Sequence, residues 1–271
     1  MKTTLTLLGI ALALGCLAQA QETSGQRVVV PARNTSRPRK VTAHQMSGSI
    51  TVKAYSGREV IVETAPGQSR GRDSQESVPP GMHRIDLPPR GLSVEEEDNQ
   101  INVHVPIGGH AALTISVPPD TSLDLHTMSG EINVEGVKGE IVVDTMNGKV
   151  SLTGIGGNVL AHSMNGTLMV AMDSVDAAKP LSFTTMNGTI DVTLPTDYKG
   201  NVKLSTNHGA IYSDFDVKIG GGTITQSNTS ADGKFKVTID RDRTFTGTIN
   251  GGGPEATFKT FNGTIYIRKK K

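Results

Sequence analysis

The chain has 271 residues, with 27 Lys+Arg against 26 Asp+Glu, one cysteine, no tryptophan, six Phe and four Tyr. Near-neutrality excludes the broad basic face that releases counterions from nucleic acid, and a lone cysteine excludes an intramolecular disulfide. Sparse aromatics leave few stacking platforms for sugars or bases, so stability has to come from an aliphatic core, for which this length suffices.

Met1-Lys2 precedes an apolar run from Leu5 to Leu17 and then Ala18-Gln19-Ala20. A positive start, an apolar stretch too short to span a bilayer and a small-x-small site predict a secretory signal over residues 1–20, cleaved after Ala20. A second reading makes Leu14-Gly15-Cys16 a lipobox with Cys16 acylated, though Ala13 and Leu14 depart from the usual order there and one acyl chain anchors weakly. Cleavage removes Lys2 and the only cysteine and leaves a neutral chain. The destination is periplasmic, outer-membrane-associated or extracellular. No later apolar run is long enough to cross a membrane.

Residues 21–65 carry strand-like runs (Arg27–Val30, Ser49–Ala54, Glu59–Glu63) and are expected to form N-terminal strands and a cap, with Gln45-Met46-Ser47-Gly48 as an early turn. Residues 66–91, with Val78-Pro79-Pro80-Gly81 and Leu87-Pro88-Pro89-Arg90-Gly91, read as a flexible insertion, because proline cannot donate to a sheet ladder. Residues 92–271 are expected to form the main domain. Strand signals resume at Leu92–Glu95, Ile101–Val105 and Ala112–Val117, and no segment has a convincing amphipathic helical period.

A repeat follows. Thr127-Met128-Ser129-Gly130, Thr145-Met146-Asn147-Gly148, Ser163-Met164-Asn165-Gly166 and Thr185-Met186-Asn187-Gly188 recur, with weaker copies at Thr206-Asn207-His208-Gly209 and Thr260-Phe261-Asn262-Gly263. Successive glycines from Gly130 to Gly209 stand 18, 18, 22 and 21 residues apart, with Gly139 and Gly157 midway in the regular part. Each half-period opens Gly-x-aliphatic and alternates, as in Gly148-Lys149-Val150-Ser151-Leu152. An antiparallel meander gives no reason for odd turns to be Met-Asn-Gly and even turns Gly-rich. A coil returning to one azimuth every period does, because like turns stack at about 4.8 Å. The predicted fold is therefore all-β, a single-stranded β-helix or solenoid with about 18–22 residues per coil. Further strands are expected at Phe235–Ile239, Phe245–Ile249, Ala256–Lys259 and Thr264–Ile267, the stretch Gly220–Gly233 is irregular, and Arg268–Lys271 reads as a solvated basic tail. The cap candidates are the region before Gly48 and that tail.

Val103-His104-Val105-Pro106, Leu113-Thr114-Ile115-Ser116-Val117-Pro118 and the array from Thr127 to Gly188 resemble the DUF4097 adhesin-like proteins of bacteria, a group similar in look to the DUF2807 head-domain adhesins. The resemblance covers roughly residues 100–267 and implies a β-solenoid of the cell envelope or exterior with no assigned catalytic residues.

Three columns follow from the register. Met128, Met146, Met164 and Met186, continued by Phe261, form either a buried corner filler, the preferred reading, or an exposed apolar stripe offered to a partner. His126, Asp144 and His162 fall on one outward row; side chains projecting in parallel converge poorly on a metal, so a solvated charge ladder is preferred. Asn147, Asn165, Asn187 and Asn262 supply turn chemistry and amide bonds along the stack. No nucleophile elbow, phosphate loop or His-Glu-x-x-His is present, and Glu131, Asp144 and Asp191 are scattered. The sequence thus predicts no enzyme, no cofactor, no metal site and no nucleic-acid partner. It points to an envelope or secreted interaction protein whose partner is an unknown envelope protein or polymer. The alternative is a polysaccharide-binding or polysaccharide-cleaving β-helix.

Overall fold

A computed structural model of the chain describes residues 26–33, 37–65, 92–105, 112–231 and 234–271, without the side chains of 221–243. The signal expected over residues 1–20, with Cys16, and the insertion expected over 66–91 lie outside the described residues.

Every regular element among the described residues is a strand. In chain order these are β1 (Gln26–Val30), β2 (Lys40–Ser47), β3 (Ile50–Ala54), β4 (Val60–Ala65), β5 (Ser93–Glu97), β6 (Gln100–His104) and β7 (Ala112–Val117). The regular array supplies β8 (Ser122–Ser129), β9 (Ile132–Glu135), β10 (Ile141–Asn147), β11 (Val150–Ile155), β12 (Val159–Asn165), β13 (Leu168–Met172), β14 (Leu181–Asn187) and β15 (Ile190–Leu194). The last third adds β16 (Gly200–His208), β17 (Ile211–Ser213), β18 (Val217–Ala231), β19 (Lys234–Ile249), β20 (Glu255–Asn262) and β21 (Ile265–Lys269).

Within the array each coil places one strand in an 11-stranded sheet and the next in a 10-stranded sheet, paired in parallel with the neighbouring coils. The alternation read from the sequence points every second residue inward. Ile141 and Val143 on β10 and Val150 and Leu152 on β11 are at most 1% exposed and belong to one aliphatic cluster filled from both sheets. Burying such a side chain contributes about 1.5–3 kcal/mol. The largest buried pair is Phe183 against Phe258, ring centroids 5.2 Å apart.

Coil order in space departs from chain order at both ends. The sheet orders β6-β2-β8 and β7-β3-β9 place the β2/β3 coil inside the β6/β7 coil, and β14-β20-β16 with β15-β21-β17 splice the last strand pair between two earlier ones. Antiparallel strands then extend the sheets: β4 and β1 beyond β7, β5 beyond β6, and the β18–β19 hairpin beyond β16. The irregular stretch Gly220–Gly233 falls largely in that hairpin. The basic tail is correspondingly not a free end. Lys269 lies on a strand flanked on both sides, Arg268 makes a two-pronged ion pair with Asp191 at 2.7 and 3.1 Å, and Lys270 reaches Asp173 at 2.9 Å.

Candidate functional site

The Thr-Met-Asn-Gly turn is tied to its neighbours by three kinds of bond. Gly148 N–H donates to the Asn165 carbonyl at 3.1 Å, and Gly130, Gly166 and Gly188 repeat the bond at 2.9–3.0 Å with Asn147, Asn187 and Asn262. Toward the C-terminal coils the buried Thr hydroxyl donates to the glycine carbonyl of the adjacent turn, Thr185 to Gly166, Thr260 to Gly188 and Thr206 to Gly263, at 3.1–3.3 Å. Outside, the asparagine amides form a ladder: Asn165 donates to Asn147 at 3.0 Å, and Asn187 to Asn165 and Asn262 to Asn187 at 2.8 Å. Turns this close leave no room for a side chain at glycine, as a Cβ on Gly148 (φ +156) would sit 1.8 Å from the Gly130 carbonyl oxygen.

The methionines point out. Met46, Met128, Met146, Met164 and Met186 are 39–51% exposed and Phe261 is 48% exposed. The preferred expectation of a buried corner filler is therefore overturned. Ile141, Val143 and Thr145 face the core, so Met146 continues the outward side, and the change of parity comes after it, at Asn147-Gly148. Phe261 leans against His208, edge to face at 5.8 Å.

Two residues before each methionine, on the same outward side, lies the second column. Pairing registers Asp144 with His126 on one side and His162 on the other. It also brings in His44 and His104, which the sequence reading missed, so that His104, His44, His126, Asp144 and His162 form one row across β6, β2, β8, β10 and β12. The signal was available: His44-Gln-Met-Ser-Gly spells the same turn as His126-Thr-Met-Ser-Gly.

Electrostatics divides this row. The His44 and His126 rings stack at 4.7 Å, and His126 Nε2 lies 2.7 Å from Asp124, which also binds Lys40 at 2.7 Å. Partial burial raises the Asp124 carboxyl, but the hydrogen bonds from Lys40 and His126 outweigh it and hold the group below its ordinary value. His44 is lowered, first by burial and then by His126 beside it, against an opposing pull from Asp124. An open groove of about 330 Å³ collects His44, Met46, His104, His126, Met128 and Met146, with Asp144 on its wall. Among the described residues no three His, Cys, Asp or Glu side chains converge as a metal site. Asp191 is taken by Arg268 on the other sheet, and Glu131 lies exposed in a turn, so neither joins Asp144.

Comparison with known proteins matches residues 16–244 to the family model described as Toastrack DUF4097. No curated protein matches the sequence. Two solved structures are similar in outline: a candidate cell adhesion protein from Clostridium sporogenes, 10% identical, TM-score 0.37, covering 91% of this chain and 100% of that one; and a candidate adhesin from Bacteroides fragilis, 12% identical, TM-score 0.35, covering 91% and 97%.

Proposed function

The chain belongs to the Toastrack DUF4097 family, and we propose that it is a non-enzymatic interaction protein of the cell envelope or exterior, exported by its N-terminal signal, whose contact surface is the outward side of the Met-Asn-Gly edge. The observation that carries this reading is the exposed stripe from Met46 to Met186 and Phe261, aligned on consecutive strands of a hydrogen-bonded sheet. These side chains stay 39–51% exposed although they are apolar. An apolar line left in water on a rigid frame is what a partner surface covers, and thioethers adapt to varied shapes. The neighbouring amides bond to one another along the ladder, which fixes the edge of the stripe.

The test is retention of labelled full-length protein on washed cell envelopes, for the native chain and for Met146→Glu with Met164→Glu. The charged pair is expected to weaken retention about tenfold or more without moving the thermal midpoint. Unchanged retention, or cleavage of an envelope polymer by the native protein, overturns the proposal.

A second reading, polysaccharide binding, has one observation in its favour on the other sheet. Tyr212, 56% exposed, stacks on Tyr266 at 5.4 Å, and the Arg268 guanidinium lies 5.1 Å from the Tyr266 ring. Loss of glycan retention in Tyr212→Ala alone, with the methionine variants unaffected, would select it.

A further inference from the structure

We propose that the groove around His44, Met128 and Met146 binds a soft monovalent metal ion of the copper(I) or silver(I) class between the thioether sulfurs of Met128 and Met146, with the imidazoles of His44 and His126 beside it. On a strand, residues i and i+2 share a face. His44/Met46, His126/Met128, Asp144/Met146 and His162/Met164 are such pairs, and all four strands lie side by side in register. The groove therefore gathers three thioethers from three adjacent strands beside three imidazoles.

Spacing selects the kind of ion. Adjacent strands stand about 4.8 Å apart, so side chains that project in parallel are set at about the separation of two donors on either side of one ion. Parallel side chains that cannot converge on a tetrahedral centre are thus suited to a linear one. Thioethers favour copper(I) over harder divalent ions, which seek oxygen or several nitrogens. The absence among the described residues of any converging His, Cys, Asp and Glu trio removes the usual zinc arrangement from the same groove.

The neighbouring charges suit a cation. His44 lines the groove with its ring stacked on His126 at 4.7 Å. His126 commits Nε2 to Asp124 and acts as the stacked support that orients the His44 ring. Asp144, the one outward carboxylate lining this groove, offsets the charge of a bound monovalent ion. None of this requires a macromolecule on the stripe, and the site stands or falls separately from that reading.

Silver(I), which does not change oxidation state, is the probe. It is titrated into the full-length protein carrying Cys16→Ser, so that no thiol competes, while Met methyl and His ring signals are recorded. Saturable binding is expected, with shifts at His44, Met128 and Met146 and none at Met186 or His208. The conservative pair Met128→Leu with Met146→Leu, which keeps the apolar volume, should lose about tenfold or more in affinity at unchanged stability, and zinc(II) should leave the signals in place. Uniform shifts at every exposed methionine, silver affinity unchanged by the Leu pair, or zinc binding as tight as silver would each overturn the assignment.

Discussion

Gly148→Ala tests whether the turns are stacked as tightly as described. The new Cβ would lie 1.8 Å from the Gly130 carbonyl oxygen and 2.7 Å from its carbon, so a backbone rather than a flexible side chain has to move. That carbonyl belongs to a turn held by its own bond, Gly130 N–H to Asn147 at 2.9 Å, and shifting Gly148 also strains its bond to Asn165. An alanine at φ +156 costs about 1–3 kcal/mol and the forced displacement about 1–3 more, against about 0.4–1 returned by the stiffer unfolded chain. The expected net loss is about 3 kcal/mol. Gly251→Ala is the control: its φ is +92, but nothing lies within 4 Å of its Cβ, so only the backbone cost of about 1–2 kcal/mol remains. Urea unfolding followed by far-ultraviolet circular dichroism measures both, with the slope showing whether the unfolded state has changed. Equal losses for the two variants would refute the packed-turn account.

Asn187→Ala removes one donated and one accepted ladder bond; because both are exposed, the expected loss is about 1 kcal/mol in urea, and less for Asn147, which stands at the ladder end. Phe183→Ala should cost about 3–5 kcal/mol by leaving Phe258 against a cavity, read as a fall in thermal midpoint. Because His44 is lowered from 6.5 on folding, the unfolded chain binds more protons there; its share of stability is full above about pH 6.5 and declines as pH falls through that value. His44→Gln should flatten that part of a stability–pH curve, whereas the contribution of Asp124, lowered from 3.8, is lost only in more acid solution.

Gly130, Gly148 and Gly166 announce the period, and Ile141, Val143, Val150 and Leu152 announce the inward face, so the solenoid was legible in the sequence. The methionine direction was not, because counting forward from Ile141 and Val143 turns Met146 outward while counting back from Val150 turns it inward, and only the backbone shows that the change falls at Asn147-Gly148. His44 was legible from its turn, whereas His104, followed by Val105-Pro106 and no copy of the turn, joins the row only through the pairing of β6 with β2. The splicing of β2/β3 and β20/β21 escaped for a related reason. Coils that share one turn chemistry can neighbour one another in any order, so pattern alone does not rank them.

That splicing has a kinetic meaning. Asn262 meets Asn187 across 75 residues of chain, and Thr260 meets Gly188 across 72. A nascent chain that has emitted β14 and β16 still lacks the strand that belongs between them, so the two remain unjoined until β20 emerges. Closing so long a loop pays its entropy before any contact rewards it, which slows folding. The consequence is an order of assembly: the stack cannot be completed before β20 and β21 arrive.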